Sequence, residues 1–273
     1  MKIEMISSRK NPVVRDAASL LQKAEKRSEA GLFIAEGARL CADAARSDIC
    51  IDTCFFTEAA RKKYANYLEQ ILTKCSRAFC VEEHVAALLS DTRNPQGIFC
   101  VCKMPEIRSM TLHEDDHILV LENMQDPSNM GNVLRTAEAL GINKLVMVDA
   151  CCDIYAPKVL RGSMGAVFRL SVERYPDAKT CFEALNCRGV TSLASVPDSS
   201  VAPITSFDFV RGKWAVWIGN EGNGLTETAK KLCDERVTIP MLGRAESFNA
   251  STAAAIVMWE MMRGIGKDRK HNG

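Results

Sequence analysis

Residues 214–225 constrain this chain more than any other stretch. The apolar run from Trp214 to Ile218 reads as a buried strand, and Gly219-Asn-Glu-Gly-Asn-Gly-Leu225 turns out of it into a charged helical stretch. Glycines placed directly after a strand let the backbone pass close to a ligand with no Cβ in the way. A carboxylate, Glu221, is held inside the same turn. The spacing G-x-x-G-x-G differs from the G-x-G-x-x-G of an ordinary dinucleotide site, and no G-x-x-x-x-G-K-[ST] occurs. Taken alone, the loop is explained equally well as a turn that uses glycine for positive φ.

Two further segments add chemistry. A strand over His117–Leu121 runs into a loop carrying Asn123, Asp126, Pro127 and Asn129. A helix is expected from near Asn132, with Val133, Leu134, Ala137 and Leu140 on one face and Arg135 off it, one turn in. Gly141 reads as its C-cap and Lys144–Asp149 as the next strand. By itself Arg135 is a solvated charge on a polar helix face. In the second segment a short strand from Val237 ends in a Pro-Met-Leu-Gly turn. Ser247 or Asn249 then caps a helix with the apolar stripe Ala250, Ala253, Ala254, Val257, Met258 and Met261. A capped core helix explains the stripe but not Glu246, Ser247 and Asn249 crowded at its mouth.

Together these segments resemble the SpoU (TrmH-like) family of RNA 2′-O-ribose methyltransferases, within the SPOUT superfamily. The family's first motif, N-x-x-D-P-x-N-x-G-x-x-x-R-T-A, is matched from Asn123 to Ala137. The second, P-K-x-x-R-x-S-M-G-A, is matched by Pro157 to Ala166, with Ala156 where the family often has Asn. The third is matched by Ile218 to Leu225 and then by Ile239 to Asn249, with Phe248 in place of the usual Leu. The resemblance covers about residues 115–264. It implies an α/β domain with a parallel sheet and a deep trefoil knot, a homodimer, and S-adenosylmethionine as cofactor. Carried over position by position, it implies that Ile218, Gly219, Asn220, Gly224, Ile239, Met241 and Phe248 hold the cofactor. Arg135, Asn129, Glu221, Asn249 and Ser247 would form the catalytic site, and Arg135 and Arg161 would contact RNA. The family treats Arg135 as catalytic. A guanidinium keeps its proton in proteins and does not serve as a proton acceptor, so its expected role is to grip a phosphate and stabilise a developing alkoxide.

Composition is compatible with this. No apolar run reaches the ~20 residues of a membrane span, and the first residues lack a signal-peptide pattern. Net charge is +1 and unevenly spread. Residues 1–103 hold 16 Lys and Arg against 13 Asp and Glu, whereas residues 104–273 hold 19 against 21. The likelier RNA contact surface therefore lies at the amino end. The 12 cysteines contain no C-x-x-C, and none of the 4 histidines is spaced with them as zinc ligands are. No metal is expected; free, mostly buried thiols in a reducing cytosol are.

Residues 1–103 read as a separate α/β domain, with a polar helix over Asn11–Glu29, a strand over Leu32–Gly37 and a helix over Ala38–Ser47. Further strands are expected near Ile51–Phe56, Ala78–Val81 and Ile98–Lys103. The Ser7-Ser-Arg-Lys-Asn-Pro12 opening and Phe33-Ile-Ala-Glu-Gly37 resemble the small, ribosomal-protein-like domain often fused before SpoU catalytic domains. That resemblance implies RNA binding, with Arg9 and Lys10 as contacts. Residues 104–114 read as a linker, 115–267 as the methyltransferase domain and 268–273 as a tail. The expected function is methyl transfer to a ribose 2′-hydroxyl, on ribosomal RNA in a cytoplasmic setting. The alternatives are the same reaction on transfer RNA, or a non-catalytic RNA-binding protein of the same fold.

Overall fold

The computed structural model describes residues 3–106 and 109–264, so the expected tail at 268–273 lies outside the described residues. Contacts divide the chain into two units, Met1–Glu106 with Asp153–Phe168, and Ile107–Cys152 with Arg169–Gly273.

The sheet of the first unit has the order β1-β4-β3-β5-β2. Its strands are β1 (Ile3–Ile6), β2 (Leu32–Glu36), β3 (Ile51–Phe56), β4 (Cys75–Val81) and β5 (Ile98–Lys103). β4 runs parallel to β1 and β3, whereas β5 is antiparallel to β3 and β2. Strands β1 to β4 therefore end on one side of the sheet, where β5 begins. Helices α1 (Pro12–Gln22), α2 (Ala24–Ala30), α3 (Ala38–Arg46), α4 (Glu58–Lys63), α5 (Ala65–Leu72) and α6 (Glu83–Ala86) connect the strands. The single helix expected over 11–29 is two. Lys23 is extended, with φ −125° and ψ 124°, and the bend turns Arg27 back onto α1. Buried Arg27 donates to the Leu20 carbonyl and to Asp153, both at 2.6 Å.

Asp153 belongs to a segment that the sequence places within 115–267 but that clusters with this first unit. Tyr155 stacks on buried Phe33 with ring centroids 4.6 Å apart, and Phe168 lies 6.0 Å from the same ring. Between them the helix Pro157–Ser163, α8 in chain order, buries Val159 and Leu160.

The second unit is a seven-stranded, wholly parallel sheet of order β10-β12-β9-β11-β6-β7-β8. These strands are β6 (His117–Glu122), β7 (Lys144–Val148), β8 (Ser171–Tyr175), β9 (Val190–Ser195), β10 (Ala202–Pro203), β11 (Lys213–Ile218) and β12 (Glu235–Thr238). Helices α7 (Pro127–Leu140), α9 (Ala178–Asn186), α10 (Glu227–Leu232) and α11 (Ala250–Met262) cover it. A parallel strand is buried on both faces and needs no polar alternation, which is why His117 to Leu121 and Ala215 to Ile218 are all buried. From β6 the chain runs outward through β7 and β8, then crosses to fill the other side. The junction of β6 and β11 is thus the point where strand order reverses, and ligands in such sheets bind outside the carboxyl ends of the strands there.

Helix α7 starts earlier than expected. Asp126 caps it, accepting from the Ser128 and Asn129 amides at 2.8 Å each, with Pro127 in the first turn. Asn129 is therefore a buried residue of the first helical turn rather than of a loop, and Arg135 stands roughly two turns in. Of the two candidate caps for α11, Asn249 is the one used, accepting from Ser251 N at 2.9 Å.

At the β8 edge, Glu173 is buried and meets Arg188 through two bonds of 3.1 and 3.0 Å, the Tyr175 hydroxyl at 2.8 Å and the Met110 amide. Burial pushes its carboxyl upward, but Arg188 and the two further donors outweigh that and hold it below the usual range. A depressed carboxyl contributes stability above its unfolded pKa of about 4.3 and loses it as pH falls through the folded value. Glu173→Gln should cost on the order of 2–3 kcal/mol at pH 7. In urea melts the gap from the parent should shrink below about pH 4, where the parent's carboxyl also protonates.

Candidate active site

Three loops leave the carboxyl ends of β6, β11 and β12, and one side chain links them. Asn129 donates through Nδ2 to Glu221 Oε1 at 3.1 Å and accepts at Oδ1 from Asn249 Nδ2 at 3.1 Å. Glu221 also accepts from the amides of Asp126 at 3.2 Å and Gln125 at 3.4 Å, and from Asn220 Nδ2 at 3.3 Å. Partial burial pushes the Glu221 carboxyl upward, but the Asn129 bond and the backbone donors prevail and hold it below the usual range. Glu221 is an ionised acceptor whose two oxygens are already engaged, which suits it to hold loops together and not to take a proton.

The glycine loop closes on itself. Asn220 and Gly224 exchange backbone bonds of 3.0 and 2.9 Å. A Cβ on Gly219 would stand 2.1 Å from the Gly224 carbonyl carbon and the Leu225 nitrogen, and Gly224 has φ +67°. Both positions need glycine for the loop's own backbone. Gly222 does not: a Cβ there meets only Asn220 Oδ1, at 3.5 Å. The loop is pinned at both ends. Asn220 Nδ2 donates to the Asn123 carbonyl at 2.8 Å, and its Oδ1 accepts from the Gly222 and Asn223 amides at 2.9 and 3.1 Å. At the far end buried Glu122 accepts from Thr226 N at 2.8 Å and Thr226 Oγ1 at 2.7 Å. Asn123 and Asp149 both take positive φ, +56° and +58°, and bond to one another at 3.2 Å.

Beside this network lies a cleft of about 250 Å³. All seven residues expected to hold a cofactor, Ile218, Gly219, Asn220, Gly224, Ile239, Met241 and Phe248, line it together with Glu221 and Ser247. The Asn220 side chain is spent within the loop, so what it offers the cleft is backbone. Phe248 is 40% exposed there. Arg135 sits apart from the network on the solvent stripe of α7 with Ser128 and Asn132, and makes no hydrogen bond or ion pair among the described residues. Arg9 and Lys10 are exposed in the loop after β1, in the first unit. Arg161 is in the first unit too, paired with Asp91 at 2.8 Å. No group of three His, Cys, Asp or Glu among the described residues could hold a metal ion.

Sequence reasoning missed Glu122, Thr226, and the Ser195-Val-Pro197 wall of the cleft. Glu122 had a signal, being a charge at the end of an otherwise apolar strand, where unpaired burial is rare. Residues 195–197 carry no distinctive chemistry and are placed by the β9–β12 pairing, where Ser195 faces Val237 and the Val196 amide donates to the Val237 carbonyl at 2.9 Å.

The family model of the SpoU rRNA methylase family matches residues 116–259, and that of the MRM3-like substrate binding domain matches residues 11–100. The chain is 28% identical over 264 residues to the 23S rRNA (guanosine(2553)-2'-O)-methyltransferase RlmP of Bacillus subtilis, spanning 95% of this chain and 99% of that one. It is 26% identical to the 23S rRNA (uridine(2479)-2'-O)-methyltransferase of Streptomyces viridochromogenes, spanning 90% and 87%. Among solved structures it is similar to the SpoU methyltransferase AviRb of Streptomyces viridochromogenes in complex with the cofactor AdoMet. That match has a TM-score of 0.84 and 25% identity, and covers 94% of this chain and 98% of the other.

Two outcomes follow from the geometry. Gly219→Ala should lower the melting temperature, while Gly222→Ala should leave it close to that of the parent. Asn129→Asp puts a second carboxylate against Glu221 and should cost about 1 kcal/mol at pH 7, allowing for solvent screening of the exposed partner. The cost should shrink toward pH 4, where one shared proton restores the bond. A penalty that grew on acidification would contradict the proposed Asn129–Glu221 contact.

Proposed function

The chain belongs to the SpoU rRNA methylase family, and we infer that it transfers a methyl group from S-adenosylmethionine to a ribose 2′-hydroxyl of RNA. Ribosomal RNA is the substrate class, as for the two relatives with named positions. The observation that carries the reading is the convergence of the seven cofactor positions on one cleft beside the Glu221–Asn129–Asn249 chain.

The cleft suits the cofactor. Ile218, Leu225, Ile239, Met241 and Phe248 offer apolar surface to an adenine, and the glycine turn leaves main chain uncovered for recognition of its edge. When bound, S-adenosylmethionine supplies an electrophilic sulfonium methyl. The chain's own part is to hold the ribose oxygen in line with it and to ease loss of the hydroxyl proton. Arg135, exposed and without a partner among the described residues, grips the phosphate next to the target ribose and stabilises the developing alkoxide. The proton passes to a phosphate oxygen or to water, since Arg135 stays protonated and Glu221 is engaged by four donors. Asn129, Glu221 and Asn249 keep the loops in register, and Ser247 stands at the cleft mouth.

The protein works as a homodimer in the cytoplasm, with the carboxy-terminal chain drawn through a trefoil knot. Supporting the dimer, α11 is apolar apart from Ser251, Thr252 and Glu260, and Trp259, Leu242 and Phe248 are exposed at 60%, 102% and 40%. Supporting the compartment, all twelve cysteines are free. Residues 1–103 choose the RNA, with residues 104–114 joining them to the methyltransferase half at 115–267. The match of residues 11–100 to a substrate binding domain and the basic excess of that part favour this division.

Mapping of ribose methylation in a deletion strain should show loss of one 2′-O-methyl mark in ribosomal RNA; an unchanged map would overturn the substrate class. Arg135→Ala should slow methyl transfer by about a hundredfold or more, on the order of 3 kcal/mol, with cofactor affinity in calorimetry unchanged. Arg135→Lys should rescue little, because a point charge does not reproduce the planar fork. Charge reversal at Arg9 and Lys10 should weaken RNA binding and flatten its salt dependence while sparing cofactor affinity.

A further inference from the structure

A second cleft, of about 390 Å³, opens in the first unit at the carboxyl end of β2. It falls within the range of small-ligand sites, ~300–1,000 Å³. Its floor is apolar, with Leu40 from α3 and Met164, which is 40% exposed. Its rim is polar. Gln96 Oε1 accepts from the Ala38 amide at 2.8 Å, so its amide nitrogen is the part left to donate. Asn94 and Arg39 are exposed and make no hydrogen bond or ion pair among the described residues. Arg161 donates through Nη2 to Asp91 at 2.8 Å, but its Nη1 is enclosed with no acceptor. An enclosed donor without a partner costs free energy. A small turn of the guanidinium toward the cleft would offer it to an anion.

The carboxylates around the cleft are already engaged. Glu36 is buried and accepts from Ser90 Oγ and Thr92 Oγ1 at 2.6 Å each and from the Asp91 amide at 3.0 Å. Asp43 pairs with Arg46 at 3.2 Å. The donors left over are thus the Arg39 guanidinium, Arg161 Nη1 and two amides, above an apolar floor. Single-stranded RNA offers what such a set can hold: an unstacked base for the apolar surface, base edges for the amides and a phosphate for arginine.

We propose that this cleft takes one splayed-out nucleotide of the RNA, its base over Leu40 and Met164 and its phosphate on Arg39 and Arg161, this nucleotide being a different one from that whose ribose is methylated. The proposal rests on the RNA-methyltransferase reading and adds a second point of recognition to it. It makes the first unit a reader of unpaired bases as well as of charge.

The test uses the full chain and a short, mixed-sequence single-stranded RNA, beside an RNA of the same length made of abasic sites. Met164 has φ +52°, which asparagine tolerates, so Met164→Asn removes the apolar wall while keeping the backbone. Met164→Asn should weaken binding of the base-bearing RNA about fivefold or more and leave the abasic RNA unaffected. Arg39→Ala should weaken both. S-adenosylmethionine affinity should stay at the parental value in each. Equal loss on both RNAs for Met164→Asn, or no loss for either variant, would overturn the subsite. A parent that binds S-adenosylmethionine but no RNA would instead overturn the underlying functional reading, and the subsite with it.

Discussion

One amide, the side chain of Asn129, is the interaction on which the candidate active site depends. Its nitrogen faces Glu221 after β11 and its oxygen faces Asn249 at the mouth of α11. A carboxamide donates in one direction and accepts in the other at fixed geometry, with no charge and no change of protonation. A carboxylate there would repel Glu221, and a hydroxyl would be too short to span the two loops. Because Asn129 is buried and sits in the first turn of a proline-started, aspartate-capped helix, its own position is set by β6 and α7. The loops are therefore positioned from the sheet outward.

The parallel sheet makes that possible. Every strand of the second unit ends on the same side, so segments far apart in sequence, 123–129, 219–226 and 239–249, meet at one edge. The two asparagines that bond there are 120 residues apart. Glycine has a narrower part than its density in the loop suggests. Gly219 and Gly224 are demanded by the loop's closure, and ligand access follows from that closure.

Much of this was legible in the residues. The strands at 117–121, 144–149 and 214–218 and the helix after Asn249 follow from apolar runs and caps, whereas the seven residues expected to hold a cofactor are grouped by the family resemblance alone and line one cleft. The break at Lys23 was not legible, because the pattern of α1 and α2 is continuous and only the turn of Arg27 onto Leu20 and Asp153 decides it. The earlier start of α7 could have been read from Asp126-Pro127, a cap followed by a residue pre-set for the first turn. The packing of residues 153–168 with the first unit could not, since it depends on Phe33 meeting Tyr155 and Phe168 across more than a hundred residues. Glu221 enters as a member of the catalytic set that the resemblance implies; only the structure reveals that its carboxylate accepts from four donors across the loops.

The central claim is that this cleft serves methyl transfer to a ribose oxygen. It is tested most directly by incubating the purified chain with methyl-deuterated S-adenosylmethionine and protein-free ribosomal RNA, then digesting to nucleosides for mass spectrometry. The account predicts the deuterated methyl on the ribose fragment of a single nucleoside. Label on a base, or none on RNA from a protein that binds the cofactor, would contradict it.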